Sequence, residues 1–383
     1  MIFRLAALLA LAMPTAAYSQ TATGYGAPGE NEAPIAFLID VSSGQVLFER
    51  NADRRFIPAS MTKAMTIYLA FELIEQGRLD PGQVMTVRED TWREWAGKGS
   101  TMFLPADARV RVDDLIAAIA NVSANDGSIV LAEGQAGTVD AWVEEMNRHA
   151  RLLGMTNSHF GTPNGWPDEG RTFTSARDLA RLGEALVEQH PKKFARYVGR
   201  AGFTFNGITQ PNRDPIIGRV RGADGIKTGF TNEAGFGFLG TAQRGGQRLV
   251  MVVAGIDRTA ARARVSRRFI EWGFEAFERQ RLFVDGALVG RARVQGGDAR
   301  SVELATERTV FVNVPKGQVR AMTINIVYDG PLRAPIEAGE NIARLEILVP
   351  GMEPAIVPLV ASEAVNRAGF FRRIFNGIAG WLT

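Results

Sequence analysis

Strand-forming segments near both ends of residues 30–280, with helical segments between them, constrain the fold most strongly. Residues 33–56 contain two apolar runs around a Ser-Ser-Gly-Gln turn, and residues 225–256 contain further strands with a hairpin at Arg244-Gly245-Gly246-Gln247. Apolar residues recur with helical periodicity over residues 60–76, 112–121, 127–133, 138–153, 175–188 and 259–277. Strands distant in sequence with helices between them predict one sheet covered by helices, an α+β fold.

The sequence changes character after this unit. At 383 residues the chain exceeds a single typical domain. From residue 281 to 360, short alternating segments such as "RTVFVNVP" and "IARLEILVP" are separated by Gly, Pro and Asp. This pattern predicts a second, all-β domain. It contains no cluster of catalytic residue types, so we interpret it as a spacer or interaction module that follows a catalytic domain at residues 30–280.

The two termini predict export and membrane association. Residues 1–19 combine one basic residue, an apolar run and small residues at Ala17 and Ser19, the pattern of a cleaved signal peptide. In residues 361–383, a helix would place the aromatic and aliphatic side chains on one face and Arg372 and Arg373 on the other. That tail is typical of an amphipathic helix lying in a membrane interface. A helix that docks on its own domain is the alternative.

Composition excludes several function classes. The chain has no cysteine, so disulfides, thiol catalysis and cysteine-based zinc sites are excluded. Its net charge is only +3, and no run of Lys and Arg is long enough to indicate a nucleic-acid groove. The three histidines, His149, His159 and His190, do not neighbour a candidate nucleophile or a second metal ligand. A Ser-His-Asp triad and a histidine metal site are therefore poorly supported, and no cofactor is expected.

A serine and a lysine one helical turn apart provide the catalytic alternative. In "PASMTKAMT", Ser60 lies near the start of a helix, where the helix dipole favours negative charge on its oxygen. Lys63 follows three residues later on the same face. A lysine in an apolar pocket near other cations loses proton affinity and can act as a general base. We therefore interpret Ser60 and Lys63 as a nucleophile and its base.

Two further motifs occur in a fixed order. "VSANDGS" contains Ser123-Ala124-Asn125 before an apolar helix, and "DGIKTGFT" contains Lys227-Thr228-Gly229 on a predicted strand. Taken singly, the first fits a helix cap and the second an edge strand that ends in glycine. The ordered set Ser-x-x-Lys, Ser-x-Asn, Lys-Thr-Gly is difficult to attribute to coincidence.

This ordered set resembles the penicillin-recognising serine enzymes. The stretches "FGTPNGWPDEGRTFTSARDLA" and "NRDPIIGRVRGADGIKTG" are similar to the low-molecular-mass D-alanyl-D-alanine carboxypeptidases. The resemblance implies a β-lactamase/transpeptidase-like catalytic domain, a small all-β domain and a C-terminal amphipathic helix. It also implies that the protein removes the terminal D-alanine from peptidoglycan stem peptides, is inhibited covalently by β-lactam antibiotics, and works at the periplasmic face of the bacterial inner membrane.

The resemblance also implies residue roles. Ser60 attacks the carbonyl between the two D-alanines, Lys63 takes its proton, and Ser123 relays a proton to the leaving amine. Four further residues bind the substrate. Asn125 orients the substrate backbone, and Lys227 supplies a positive charge. Thr228 supplies a hydroxyl for the terminal carboxylate, and Gly229 leaves space for the substrate along the strand.

Two more positions are implied by the same resemblance. The backbone N–H groups of Ser60 and Phe230 form the oxyanion hole, and Arg213 is a second contact for the substrate carboxylate. Members of the family often carry histidine where this sequence has Phe230. We therefore expect the backbone donor to be preserved and the deacylation rate to differ.

Three alternatives remain from the residues alone. A class A β-lactamase would use a glutamate in an E-x-x-L-N segment, and the dipeptide Leu-Asn does not occur in this chain. A D,D-endopeptidase uses the same chemistry and differs only in the group on the leaving side of the scissile bond. A non-hydrolytic envelope scaffold would have no use for a nucleophile with its base.

Overall fold

The computed structural model describes residues 26–317 and 322–369. The described chain divides into two units, and each is considered by itself. The first contains residues 26–41 and 48–274 and holds every site residue predicted from the sequence. The second contains residues 42–47, 275–317 and 322–369.

A five-stranded sheet has the order β2-β1-β9-β8-β7, and four of its strands form the centre of the first unit. These four are β1 (Ile35–Asp40), β7 (Ala223–Thr231), β8 (Gly235–Arg244) and β9 (Gln247–Ile256), and the fifth is β2 (Gln45–Arg50). β1 pairs antiparallel with β9, from Ile35 opposite Ala254 to Asp40 opposite Leu249. The sheet thus joins strands from both ends of the unit, and the predicted α+β architecture is confirmed. Two two-stranded sheets lie outside this sheet: β3 (Val84–Thr86) pairs with β4 (Arg109–Arg111), and β5 (Gly202–Phe205) forms a hairpin with β6 (Ile208–Pro211).

Eight α-helices are described in the chain: α1 (Lys63–Glu75), α2 (Glu89–Trp95), α3 (Val112–Asn121), α4 (Asn125–Ala136), α5 (Val139–Leu152), α6 (Ala176–Glu188), α7 (Pro191–Tyr197) and α8 (Thr259–Glu275). A 3₁₀ turn at Ala59–Thr62 precedes α1. The long helices agree with the periodicity in the sequence. The seven-residue helices α2 and α7 and the two two-stranded sheets were not predicted.

Local side-chain chemistry explains where several helices begin. Thr138 Oγ1 accepts from the backbone N–H of Ala141 at 3.1 Å, and Ser175 Oγ accepts from that of Asp178 at 3.2 Å. Such N-caps satisfy donors that have no partner within the helix. α1 differs because it is buried from Lys63 to Phe71 and carries no polar face along that stretch. A helix that is buried all round holds its first residue, Lys63, away from water.

The second unit is all-β, as predicted. Its strands are β10 (Phe277–Phe283), β11 (Leu288–Gln295), β12 (Ser301–Thr306), β13 (Val310–Pro315), β14 (Thr323–Val327), β15 (Leu332–Arg333), β16 (Asn341–Leu348) and β17 (Ala355–Ala361). Six of them form a sheet in the order β14-β16-β17-β12-β11-β15, and β10 pairs with β13. Alternate aliphatic side chains, such as Val302, Leu304, Leu345 and Ile347, form its core. The helix predicted to end at Phe277 ends at Glu275, because Phe277 begins β10 opposite Pro315.

The helix predicted for residues 361–383 was placed to start too early, because its first residues belong to the β structure. Ala361 is the last residue of β17, and Val365 and Arg367 bridge to Ile336 and Gly297. Residues 370–383, on which the amphipathic pattern rests, and residues 1–19, where a signal peptide is predicted, lie outside the described residues. Among the described residues, no helix has the length and apolar character needed to cross a membrane.

Candidate active site

Ser60 and Lys63 meet where the 3₁₀ turn runs into α1. Lys63 Nζ lies 3.0 Å from Ser60 Oγ, 2.7 Å from Asn125 Oδ1 and 2.6 Å from the Asn164 carbonyl oxygen. The lysine side chain is fully buried. Three acceptors match the three protons of an ammonium group, so the geometry fixes the nitrogen beside the serine oxygen.

The surroundings of Lys63 weaken its hold on a proton. Burial is the largest cause and holds the pKa of Lys63 well below its ordinary value of 10.5. The nearby charges of Lys227 and Arg213 lower the pKa further, while Asp126 acts in the opposite direction. These surroundings favour the neutral amine more than water does, and the neutral amine is the form that accepts a proton from a serine hydroxyl.

Ser123 and Asn125 lie at the start of α4. Ser123 is buried and adopts a left-handed backbone conformation with φ of 64°, as does Ala59 with φ of 50° just before the other serine. Non-glycine residues in this conformation carry strain and are concentrated at functional sites. Asn125 is held from both sides: its backbone N–H donates to the Ser100 carbonyl at 2.7 Å, and its Nδ2 donates to the Lys98 carbonyl at 2.9 Å.

The segment that holds Asn125 is itself held by aromatic rings. Lys98 Nζ lies 4.4 Å from the ring centre of Trp95 and 5.2 Å from that of Trp166, and the two rings pack edge to face at 5.7 Å. These are cation–π distances. Gly99 follows with φ of 70°, and a Cβ there would lie 2.8 Å from Asn125 Nδ2 and 2.9 Å from the Trp166 ring. Glycine is therefore required for this close approach.

A buried carboxylate anchors the rest of this segment. Asp126 accepts from the backbone N–H of Met102 at 3.0 Å and from that of Leu104 at 3.3 Å. Burial is the largest influence on this carboxyl and raises its pKa, although these backbone donors act to lower it. Residues 98–104 are thus tied to the first turn of α4.

Strand β7 brings the third motif to the same place. Lys227 is buried, its Nζ donates to the Thr228 carbonyl at 3.2 Å, and burial lowers its pKa to about 7, with Arg213 and Arg262 adding to the effect. Thr228 is half-buried beside it. A Cβ on Gly229 would lie 2.4 Å from the Pro58 carbonyl oxygen. The glycine therefore makes room for the turn that carries the serine, in addition to any space it leaves for a substrate.

Phe230, where the family resemblance leads one to expect histidine, is 48% exposed. Its ring stacks on Phe236 with centroids 4.2 Å apart and an interplanar angle of 22°. The Arg262 guanidinium lies 5.6 Å from the centre of the Phe236 ring. The structure therefore has an exposed aromatic face beside the serine turn, where a histidine would offer a titratable group.

Arg213 lies at the rim of the site. Its Nη1 donates to Ser100 Oγ at 2.6 Å, and the residue is exposed. Its neighbour Asp214 is inside: Oδ1 accepts from the backbone N–H groups of Ile216 at 2.8 Å and Ile217 at 3.1 Å, and burial raises its pKa to about 6. Arg262 from α8 is also buried, and burial lowers its pKa.

Sequence reasoning missed several members of the site. Asp214 and Arg262 belong to no short motif. Asn164 contacts Lys63 through its main-chain carbonyl, so the identity of its side chain carries no signal. A signal in the sequence is the Asn-Gly pair that Asn164 forms with Gly165, because this pair is typical of a turn. Gly165 has φ of 71°, and a Cβ there would lie 1.9 Å from the Ala59 carbonyl oxygen.

Positive charge exceeds negative charge around the serine. The cations are Lys227, Arg213 and Arg262, joined by Lys63 when it is protonated, and the carboxylates that influence their pKa values are Asp126 and Asp214. A low-dielectric site with unbalanced cations favours an anionic ligand. The geometry therefore fits nucleophilic attack by a serine on a substrate that carries a carboxylate.

Comparisons with known proteins agree with this chemistry. Residues 21–258 match the family described as "D-alanyl-D-alanine carboxypeptidase", and residues 277–367 match "Penicillin-binding protein 5, C-terminal domain". The chain is 34% identical over 364 residues to D-alanyl-D-alanine carboxypeptidase DacC of Escherichia coli, covering 92% of this chain and 90% of that protein.

Solved structures are also similar. Penicillin binding protein 5 from Haemophilus influenzae matches with a TM-score of 0.78 and 32% identity, over 89% of this chain and all of that one (100%). Penicillin-Binding Protein D2 from Listeria monocytogenes, solved in an ampicillin-bound form, matches with a TM-score of 0.56 and 29% identity, over 64% of this chain and 98% of that one.

Fold, site chemistry and these matches together define a serine hydrolase. Within that class, the chain belongs to the D-alanyl-D-alanine carboxypeptidase family. The activity predicted from the three ordered motifs, a serine-type D-alanyl-D-alanine carboxypeptidase, is confirmed.

Proposed function

We propose that Ser60 is the nucleophile and Lys63 its general base in the removal of the terminal D-alanine from peptidoglycan stem peptides. The distance of 3.0 Å from Lys63 Nζ to Ser60 Oγ, together with the burial that lowers the lysine pKa, carries this assignment. A neutral Lys63 takes the serine proton as Oγ attacks the carbonyl between the two D-alanines. The resulting ammonium is then stabilised by Asn125 Oδ1 and the Asn164 carbonyl.

The remaining roles concern the charges that develop during the reaction. The backbone N–H groups of Ser60 and Phe230 donate to the oxyanion of the tetrahedral intermediate, and one such donor is worth about 3 kcal/mol. Ser123 relays the proton that Lys63 took from Ser60 to the leaving amine, so that free D-alanine departs, an acyl-enzyme forms and Lys63 becomes neutral again. Water then hydrolyses the ester and regenerates Ser60.

Substrate orientation depends on the charge distribution. Lys227 and the Thr228 hydroxyl bind the terminal carboxylate, and Arg213 is close enough to contribute from the rim. Asn125 orients the peptide backbone by hydrogen bonding. β-Lactam antibiotics, which combine a carboxylate with a reactive carbonyl, acylate Ser60 in the same way, a view supported by the ampicillin-bound relative from Listeria monocytogenes.

Export and attachment belong to the same proposal. Residues 1–19 serve as a signal peptide, and residues 370–383 hold the enzyme peripherally at the periplasmic face of the inner membrane. Deletion of residues 369–383 is expected to release active enzyme from the membrane fraction. A truncated protein that remains with the membrane would contradict the anchor.

The catalytic proposal is tested by release of D-alanine. Protein lacking residues 1–19 and 369–383 is incubated with a pentapeptide that ends in D-Ala-D-Ala, beside Ser60→Ala. Release by the wild type alone is expected. Release by both proteins would refute Ser60 as the nucleophile. Covalent penicillin labelling without release would restrict the activity to acylation.

A further inference from the structure

A cavity of about 280 Å³ lies next to the active site and has no role in the chemistry above. It is bounded by α2, α4, the start of α5 and the segment Thr162–Asn164. Its apolar walls come from Trp95, Ile129, Val139 and Pro163, and three carboxylates line it, from Asp90, Glu94 and Glu133. The volume is sufficient for an aliphatic side chain with its terminal group.

Asn164 belongs both to the cavity wall and to the catalytic centre. Its carbonyl accepts from Lys63 Nζ at 2.6 Å, and its Oδ1 accepts from the Trp166 backbone N–H at 3.0 Å. Its Nδ2 is buried and has no hydrogen-bond partner among the described residues, and the whole residue is 1% exposed. A buried amide donor without an acceptor is costly, so this wall favours a ligand that brings a carbonyl oxygen.

Charge in the cavity is opposite to that of the catalytic centre. Glu94 Oε1 already lies 3.3 Å from Lys98 Nζ, and Glu133 Oε1 lies 3.9 Å from Arg88 Nη1, which is half-exposed. Asp90 adds a third negative charge, so the carboxylates outnumber these two cations. The catalytic centre, in contrast, has more cations than carboxylates. A ligand with a carboxylate at one end and an ammonium at the other would therefore bind in a single orientation, with its carboxylate in the catalytic centre and its ammonium in the cavity.

The distance from the catalytic centre to the carboxylates of the cavity matches the reach of one particular part of the substrate. Asn125, Ile129 and Glu133 share a face of α4, so Glu133 lies about 12 Å along the helix from Asn125. In a stem peptide, the third residue precedes the two D-alanines. Adding about 3.5 Å for one residue to about 6 Å for a four-carbon side chain puts a terminal amine about 10 Å from the scissile carbonyl.

We propose that this cavity binds the amine-terminated aliphatic side chain of the third stem residue. The inference rests on the proposed function and names a substrate feature that the three motifs do not address. The methylenes lie against Trp95, Ile129 and Val139, the ammonium is bound by Asp90 and Glu133, and Asn164 Nδ2 donates to a carbonyl of the stem.

Two matched peptides test the inference. Both are Nα-acetyl-X-D-Ala-D-Ala, with X either L-lysine or Nε-acetyl-L-lysine, so that they differ only in the charged amine. The wild type is expected to favour the free-amine peptide about fivefold to tenfold in kcat/KM, chiefly through a lower KM. The reason is that a partly enclosed ion pair contributes more binding free energy than a fully exposed one. Glu133→Gln, which keeps an acceptor for Thr91 Oγ1, and Asp90→Asn should each reduce that preference to about twofold.

Glu89→Gln provides the matched control. Glu89 is on the same helix as Asp90 but pairs with Arg93 on the exposed side, so the preference should remain unchanged. Equal kcat/KM for both peptides in the wild type, or a preference that survives Glu133→Gln and Asp90→Asn, would overturn the inference.

A binding measurement separates this inference from the proposed function. Ser60→Ala is titrated with each peptide at millimolar concentration and followed by NMR, which reports Kd without turnover. The Kd for the free-amine peptide should again be about fivefold to tenfold lower. If the wild type releases no D-alanine but Ser60→Ala shows this ratio, the proposed reaction fails and the cavity assignment stands. A ratio near one overturns the assignment whatever the activity.

Discussion

Lys227 is expected to destabilise the folded protein, and Lys227→Met tests this. A pKa of about 7 in place of the ordinary 10.5 means that burial, together with the nearby charges of Arg213, Arg262 and Asp214, disfavours the ammonium by about 5 kcal/mol. Methionine fills a similar volume without that charge. Methionine also gives up the hydrogen bond to the Thr228 carbonyl, so the expected net gain at pH 6 is about 1–3 kcal/mol in the free energy of unfolding.

The gain should depend on pH in a definite direction. Below pH 7 the lysine is protonated in both the folded and the unfolded state, and the full cost of burying the charge is present. Between pH 7 and 10.5 the unfolded state binds more protons than the folded state, so the stability of the wild type rises with pH. The advantage of Lys227→Met should therefore shrink by about 2.5 kcal/mol from pH 6 to pH 9.

Urea unfolding at the two pH values measures this difference, with Lys192→Met as a control because that lysine is exposed. Lys227→Met should also reduce the second-order rate of penicillin labelling by about 100-fold, since a charged hydrogen bond to the ligand carboxylate is worth about 1.5–3 kcal/mol. A variant less stable than the wild type at pH 6, or a gain that is equal at both pH values, would refute the reasoning. Unchanged labelling would refute the role in binding.

Three further substitutions address the site. Lys63→Ala should abolish penicillin labelling, while the free energy of unfolding stays within about 1 kcal/mol of the wild type or improves, because a buried lysine is desolvated at a cost. Lys98→Met should lower the labelling rate by about threefold to tenfold through loss of the cation–π contacts that hold Asn125, whereas Lys98→Arg should retain most of it. Phe230→His should speed release of bound penicilloyl group by about tenfold without changing the rate of acylation, because it adds a group able to transfer protons.

Each of these has a contrary outcome. Labelling that persists in Lys63→Ala would assign the base elsewhere. Equal rates for Lys98→Met and Lys98→Arg would show that charge over the two tryptophans is unimportant. Faster acylation in Phe230→His would mean that the phenyl ring obstructs ligand access and has no bearing on deacylation. Thermal melts of all variants report whether a loss of rate reflects unfolding.

The long helices and strands could be predicted from the sequence because each shows a periodic pattern of apolar residues within its own segment. Helix α3 begins and ends at the residues where its apolar period begins and ends, Val112 and Asn121. Helix α2 is different: it spans seven residues, and Trp95 at its end packs on Trp166, which is distant in sequence. A short helix stabilised by a tertiary contact has too few turns to show a period of its own.

The same contrast holds within the site. Ser60, Lys63, Asn125 and Lys227 were found because each contributes a reactive or polar side chain within a recognisable spacing. Asn164 contributes a main-chain carbonyl, which every residue possesses, and only the three-dimensional fold brings it to Lys63. Gly229 was interpreted as space for a substrate, but the Pro58 carbonyl beside it could not be inferred from the strand alone.

The excess of buried cations beside the serine offers a way to search for inhibitors without a substrate. Lys227 and Arg262 are both desolvated, and the folded chain supplies few carboxylates near them. A small molecule that binds an anion-accepting site present only in the folded form raises the melting temperature, by an amount that grows with the logarithm of its concentration divided by its Kd. A thermal-shift screen would therefore detect carboxylates, boronates and sulfonates that bind here, including those that never acylate the serine.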